Sequence, residues 1–167
     1  VHGDDLEKAI ACLTGELQCV LKERATHDVS LFSPSGVHIE LHFDLVEEGR
    51  ANGAIAELRS VWENTTLYEN SRYRHEMSDA FFYFYHVAHM AKHFEVGGCG
   101  VRPFLDLWIL DTRVDFDPQE RDALLARGDL LQFANTCRTL SGIWMNGEMA
   151  DALSLKMQDF LLRGGVY

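Results

Sequence analysis

The alternation of apolar and polar residues changes character near residue 50. Ahead of that point a helical repeat comes first, in which Leu6, Ile10 and Leu13 fall on one face. Asp4 followed by Glu7 has the spacing of a capping box at the start of such a helix. The first residues are therefore predicted to form a short amphipathic helix.

Three extended segments follow this helix, at residues 17–22, 28–33 and 37–45. The second and third are joined by a Ser-Pro-Ser-Gly sequence at 33–36. In a turn of this kind Pro sets φ at its own position and Gly permits a positive φ. The pattern predicts an antiparallel hairpin.

The third extended segment alternates strictly between apolar and ionisable side chains. One side carries Val37, Ile39, Leu41 and Phe43, and the other carries His38, Glu40, His42 and Asp44. One interpretation is the solvent-facing side of an edge hairpin. The other is a strand that offers a carboxylate to a divalent metal, because hard cations such as Mg²⁺ take oxygen ligands. The pattern alone leaves both open.

From about residue 52 onward the pattern predicts mainly helices. The predicted helices lie at 55–62, at 78–94 after a Ser78 cap, at 104–112, after an N-cap at Asp117, at 130–145 and at 148–162. The layout predicts an α+β fold, with a small antiparallel sheet followed by an α-helical bundle. It places a partial α/β core at residues 1–48 and an α-helical domain at 49–167.

The composition narrows the possible partners. Against 26 acidic side chains stand 15 basic ones, which gives the 167 residues a formal charge of −11. Duplex nucleic acid is a poor partner for such a chain, because neutralising phosphates needs clustered Lys and Arg. The sequence contains no run of about 18 apolar residues, so it predicts no membrane-spanning helix. Four widely spaced cysteines without a secretory signal indicate free thiols in a reducing, cytoplasmic compartment.

A histidine-bearing face on the long predicted helix is a candidate site. At helical spacing, His86, His89 and His93 lie on the side opposite an apolar stripe, with Lys92 beside them. Three interpretations stay open. The face could be a polar groove that binds a ligand, a zinc site built on histidines four residues apart, or a set of ordinary packed histidines.

The glycine-rich segment at 97–100 leads into Arg102, with Asp106 one helical turn later. Glycines ahead of a helix can expose backbone N–H groups to an anion. The simpler alternative is a tight turn between helices with a local Arg102–Asp106 pair. A different pair, His27-Asp28, resembles part of a metal-dependent phosphohydrolase signature. It stands at a strand start without that signature's helical ligands, so the sequence assigns it no such role.

Taken together, three segments resemble the uncharacterised nucleotidyltransferase family of the DNA polymerase beta-type superfamily. They are His27-Asp28-Val29 leading into Ile39-Glu40-Leu41-His42, the helix at 85–93, and the Gly-Gly-Cys-Gly-Val-Arg-Pro-Phe-Leu-Asp sequence at 97–106. Their order and spacing match over about residues 1–145. The resemblance implies a parent enzyme that transfers a nucleoside monophosphate from an NTP to an unidentified acceptor, with Mg²⁺.

The departure from the family pattern concerns the metal site. Such enzymes carry a Gly-Ser motif and then an Asp-x-Asp pair on the next strand, and neither stands in that place here. The resemblance makes Glu40 the third carboxylate, a metal ligand or the general base, with His42 beside it. It also makes Val1 the tail of the Asp-x-Asp strand, so the chain is expected to be a truncated, inactive part of the enzyme that does not bind Mg²⁺ by itself.

The remaining candidates follow from this picture or compete with it. The residues expected to line the nucleotide or acceptor cleft are His86, His89, Lys92, His93 and Arg102. The competing hypothesis is a non-catalytic helical binding module or pseudoenzyme, whose partner would bind the aromatic segment at 81–85. A third is a histidine-based metal protein.

Overall fold

The computed structural model describes residues 1–46 and 53–164. The chain divides into two compact units, Val1–Arg50 (unit 1) and Ala51–Tyr167 (unit 2). Across the described residues the architecture is α+β, as predicted, with small antiparallel sheets and a majority of helix. The predicted domain boundary between residues 48 and 49 lies outside the described residues and stays a prediction.

Unit 1 is one helix and a three-stranded antiparallel sheet. Helix α1 (Leu6–Gly15) is followed by β1 (Val20–Arg24), β2 (Asp28–Phe32) and β3 (His38–His42). The strands lie in the order β1-β2-β3. The predicted hairpin between β2 and β3 is confirmed.

The predicted capping box at the start of α1 is wrong. Gly3–Asp5 form a 3₁₀ turn that runs directly into the helix. The His2 side chain accepts a hydrogen bond from the Asp4 backbone N–H at 3.3 Å. Because Asp4 already lies inside a helical turn, it does not take the extended backbone that an N-cap residue needs.

A small apolar core fixes which face of the sheet is exposed. Ile10, Cys19, Val29 and Leu31 form the buried cluster of unit 1. Against it pack Leu6, Leu13, Leu21, Ile39, Leu41 and Phe43. The alternate residues of β3 are therefore turned to solvent, and the predicted two-sided pattern of that strand is confirmed.

Unit 2 is built mainly of helices. Its elements are α2 (Ile55–Arg59), β4 (Thr65–Leu67), β5 (His75–Met77), α3 (Asp79–Phe94), α4 (Arg102–Arg113), α5 (Pro118–Arg127), α6 (Leu131–Asn146) and α7 (Ala152–Gly164). Helix α3 packs against α4 and α5, α4 against α6, and α6 against α7. Among the described residues, no helix is both long and apolar enough to pass through a membrane.

The predicted helix starts are confirmed where a cap defines them. Ser78 accepts the Phe81 N–H at 3.2 Å, and Asp117 accepts the Gln119 N–H at 2.8 Å. Pro118 follows Asp117 in the first turn of α5. The antiparallel hairpin β4–β5 was not predicted, because strands of three residues are too short to show an alternation.

Candidate functional site

Glu40 stands at the middle of the exposed face of β3, with about half of its side chain (55%) open to solvent. Two imidazoles of the same strand flank its carboxylate. His42 Nε2 lies 3.5 Å from one carboxylate oxygen, and His38 Nδ1 lies 3.9 Å from the other. The strand repeat of two residues places all three side chains on one face. The prediction that Glu40 and His42 lie side by side on this face is therefore confirmed.

The end of the sheet beside Glu40 carries two further ionisable groups. Asp28 on β2 is the cross-strand partner of His42. His27 Nε2 lies 3.3 Å from an Asp28 carboxylate oxygen, and the His27 and His42 ring centroids are 5.5 Å apart. The His27 carbonyl accepts the N–H groups of Phe43 and Asp44 at 3.0 and 3.2 Å. These backbone bonds fix the start of β2 against the end of β3.

His86 on α3 makes a contact that holds two helices together. Its Nε2 lies 2.9 Å from the carbonyl oxygen of Pro103 in the first turn of α4. A carbonyl only accepts, so Nε2 carries the proton and donates. This bond favours a structural contribution from His86, although its predicted part in substrate binding stays a prediction.

His89 and His93 form a close pair on the same helix. Their Nε2 atoms are 3.3 Å apart, and the rings meet edge to face at 4.5 Å between centroids. Partial desolvation lowers the pKa of His89, and the neighbouring His93 and Lys92 lower it further. His89 therefore stays neutral to lower pH than an ordinary histidine.

Arg102 is largely solvent-exposed, and its guanidinium lies 3.9 Å from the Asp106 carboxylate. This is the local pair that the simpler interpretation of the segment predicted. The glycines ahead of it have a conformational role, since Gly97, Gly98 and Gly100 have φ values of 134°, 108° and 69°. Residues other than glycine rarely adopt such φ values.

The predicted site residues divide between the two units. Glu40 and His42 belong to unit 1, and His86, His89, Lys92, His93 and Arg102 belong to unit 2. Glu40 and His42 share β3, and the three histidines and Lys92 share α3, whereas Arg102 begins α4. That both groups line one cleft stays a prediction.

The aromatic segment at 81–85 does not form the surface that the binding-module hypothesis needs. Phe81, Tyr83 and Phe84 are fully buried, and Phe82 is 43% exposed. These side chains build the core of unit 2, so they offer little to an external partner.

An ionic network inside unit 2 was not predicted from the sequence. The Tyr83 hydroxyl donates to the carboxylate of Asp111, at 3.2 and 3.3 Å from its two oxygens. Arg138 Nε lies 3.3 Å and Arg121 Nη1 3.5 Å from the same carboxylate. Burial is the main reason that the pKa of Tyr83 is raised above its usual range. Asp111 and Arg138 also border a polar cavity of about 450 Å³.

A sequence signal for this network exists. Asp111 falls at helical spacing from the buried Phe104 and Leu107, and Arg121 at helical spacing from the buried Leu124. A charge at a core-facing position needs a partner of opposite sign. Asp111 and Arg121 can therefore each be predicted to need a partner, although their spacing does not show which groups meet.

An Asp-x-Asp spacing does occur later in the chain, at Asp115 and Asp117. It lies between α4 and α5 and not on a strand. The Asp117 carboxylate is occupied as the cap of α5. This pair therefore differs from the strand-borne aspartates of the family pattern.

An exposed strand carboxylate on a small antiparallel sheet, followed by a helical bundle, fits the class of nucleotidyltransferases that the motifs resemble. The chain matches the family described as uncharacterised nucleotidyltransferase over residues 1–146, and it belongs to that family. The match ends where α6 ends, so α7 lies beyond it. No curated protein and no solved structure matches the chain.

Proposed function

We propose that the protein containing this chain transfers a nucleoside monophosphate from an NTP to an acceptor, and that Glu40 belongs to its catalytic centre. The observation that carries the proposal is the position of Glu40. It lies exposed on β3, between two imidazoles, inside the segment that matches the nucleotidyltransferase family. Folding does not require an exposed carboxylate at this position, which is consistent with a chemical role.

Glu40 would serve as a metal ligand or as the general base. The first role depends on whether the ligands around Glu40 suit Mg²⁺. Mg²⁺ takes oxygen ligands in near-octahedral geometry. Among the described residues, Glu40 is flanked by two imidazoles and does not belong to a group of three close metal-binding side chains. The described residues therefore do not fit a complete Mg²⁺ site.

The edge position of β3 explains how this site could be completed. In the described sheet β3 is an outer strand, and the Val1 backbone nitrogen donates to the His42 carbonyl at 2.7 Å. A carboxylate pair on a strand that hydrogen-bonds to this outer edge of β3 would lie close to Glu40. A second chain could also supply it.

We further propose that residues 1–167 alone do not catalyse transfer, because a single carboxylate cannot hold the two metal ions of such a centre. In unit 2, His89, Lys92, His93 and Arg102 are proposed to contact the nucleotide or the acceptor. Their cationic or hydrogen-bonding side chains suit phosphate oxygens. The four cysteines are free thiols, which agrees with the proposed cytoplasmic location.

The test is an NTP-transfer assay on the parent chain that carries the Asp-x-Asp pair, with Mg²⁺ and an NTP labelled at its α-phosphate. We expect Glu40→Ala to lower turnover by at least about 100-fold, because metal ligation supplies several kcal/mol of transition-state stabilisation. The melting temperature should not change. Glu23→Ala is the matched control, since Glu23 is an exposed carboxylate on β1 of the same sheet.

Two results would overturn the proposal. One is a parent chain that transfers no label from any of the four NTPs. The other is a Glu40→Ala variant as active as Glu23→Ala. For unit 2, alanine at His89 or Arg102 should lower turnover at an unchanged melting temperature. A matching loss of stability would instead assign these residues a structural role.

A further inference from the structure

We propose that His27, Asp28 and His42 form a binding site for a divalent transition metal, with zinc as the best fit. One ligand atom from each of these side chains can be chosen so that all three lie within 4.8 Å of one another. Among the described residues, no other group of three or more metal-binding side chains has its ligand atoms this close together. The inference does not rest on the nucleotidyltransferase proposal.

The donor set selects the class of metal. Two imidazole nitrogens and one carboxylate oxygen suit Zn²⁺ and its neighbours in the transition series, whereas Mg²⁺ takes oxygen ligands. Zinc bound by three protein ligands keeps a fourth position for water or substrate. His42 is about half exposed (45%), so this position would open toward solvent.

The distances are close to those of a metal site. Zinc–ligand bonds of about 2.0–2.2 Å in a tetrahedron place neighbouring ligand atoms about 3.3–3.6 Å apart. His27 Nε2 and Asp28 Oδ2 are already 3.3 Å apart. A His42 ring nitrogen must still move closer to the other two ligand atoms. His42 is exposed enough to do so by changing its side-chain rotamer.

The backbone holds the three residues in register. Asp28 and His42 are cross-strand partners in the β2–β3 ladder. His27 is tied to the end of β3 because its carbonyl accepts two backbone N–H groups. Ligands on two paired strands are positioned more accurately than ligands on a loop.

The competing explanation is a pair of ordinary contacts, His27 with Asp28 and His42 with Glu40. The experiment that separates the two is Zn²⁺ titration by calorimetry, with Co²⁺ absorption as a second readout. It uses the 167-residue chain carrying His89→Ala and His93→Ala, because that second imidazole pair, at 3.3 Å, could bind metal on its own. We expect one Zn²⁺ per chain and a Co²⁺ spectrum typical of tetrahedral coordination.

Two variants in this background test the ligands. Asp28→Asn keeps the side-chain shape, and His42→Ala removes an exposed ring, so both should fold, as far-UV circular dichroism will verify. Each should weaken Zn²⁺ affinity by at least about tenfold, since even the loss of an outer-shell partner costs that much. The matched control is His38→Ala, which removes an equally exposed histidine (46%) of the same strand without touching the proposed ligands.

The proposal is overturned if the chain shows no saturable Zn²⁺ binding at micromolar protein and metal. It is also overturned if Asp28→Asn and His42→Ala bind Zn²⁺ as tightly as His38→Ala. Metal binding is measured without NTP or acceptor. Its failure is therefore distinguishable from failure of the transfer assay.

Discussion

The two units of this protein treat their charged side chains in opposite ways. Unit 1 keeps Glu40 and its flanking histidines on the exposed face of a sheet, and the other face of the sheet contributes to a small apolar core. Unit 2 places the Asp111 carboxylate inside its helical bundle, where Arg121 is only 7% exposed.

The difference separates structural charges from chemical ones. A buried charge is tolerated only when it is paired, so the Asp111 network is part of what holds unit 2 together. An exposed carboxylate contributes little to stability. Glu40 can therefore be retained for chemistry without a folding reason. Matched carboxylate deletions in the two units test this contrast, and substitutions within unit 2 test the packing and electrostatics behind it.

The largest effect is expected for Asp111→Ala. The substitution leaves Arg121 and the Tyr83 hydroxyl buried without their shared acceptor. We expect the free energy of unfolding to fall by about 3 kcal/mol, at the lower end for breaking a buried pair because Arg121 keeps Asp122 at 2.7 Å. Urea unfolding followed by tryptophan fluorescence measures it. All three tryptophans lie in unit 2, at positions 62, 108 and 144.

Glu40→Ala is the matched carboxylate deletion in unit 1. Its unfolding free energy, followed by far-UV circular dichroism, should stay within about 0.5 kcal/mol of the wild-type value. Equal losses for the two variants would show that the exposed and buried carboxylates do not differ in the way proposed here.

A smaller effect is expected for Gly128→Ala. A Cβ atom at this position would lie 2.6 Å from a ring carbon of Phe84, which is fully buried and cannot yield. Overpacking of this kind costs about 1–3 kcal/mol. The tryptophan-detected urea midpoint of unit 2 should fall accordingly.

Gly142→Ala provides the control within the same unit. The new Cβ would meet the carboxylate of Glu148, the far end of a flexible side chain. Alanine also favours the interior of α6 by up to about 1 kcal/mol over glycine. We expect a neutral or stabilising result, and a loss as large as that of Gly128→Ala would contradict the packing argument.

The smallest effect concerns the pH response of His89. Partial desolvation, and then the neighbouring His93 and Lys92, hold the folded-state pKa of His89 below the ordinary value of about 6.5. The folded chain therefore takes up this proton less readily than the unfolded chain. The His89 contribution to stability should be lost as pH falls from about 6.5 through the folded pKa.

His93→Ala should raise the pKa of His89 toward its ordinary value without reaching it, because desolvation remains. NMR titration of the His89 ring proton measures the change. His75→Ala, which removes a histidine of β5, serves as the control. An unchanged His89 pKa in His93→Ala would show that the pair at 3.3 Å is not electrostatically coupled.

Much of the local structure could be predicted because its cause is local. The caps at Ser78 and Asp117 depend on side chains within three residues of the amides that they bind. The two faces of β3 follow from a period of two. The position of Glu40 on an exposed face was likewise available from residues 37–45 alone.

Other features could not be predicted, either because the pattern was too short to be informative or because the partners are distant in the chain. The hairpin β4–β5 has strands too short to alternate, and the 3₁₀ turn at Gly3–Asp5 replaces the capping box that the sequence spacing suggested. The Asp111 network joins side chains from α3, α4, α5 and α6. Helical spacing can show that Asp111 and Arg121 face a core, but it does not show which partners meet.

The sequence alone was therefore enough to predict the α+β class, the capped helix starts at Ser78 and Asp117, the ionisable face of β3 and the family to which the chain belongs. The tertiary structure was needed to show that His27 and Asp28 meet His42, that His86 binds the Pro103 carbonyl, and that the aromatic segment at 81–85 is mostly core. The physical reason is that periodicity and capping act over a few residues. Pairing and burial depend on how strands and helices pack against one another.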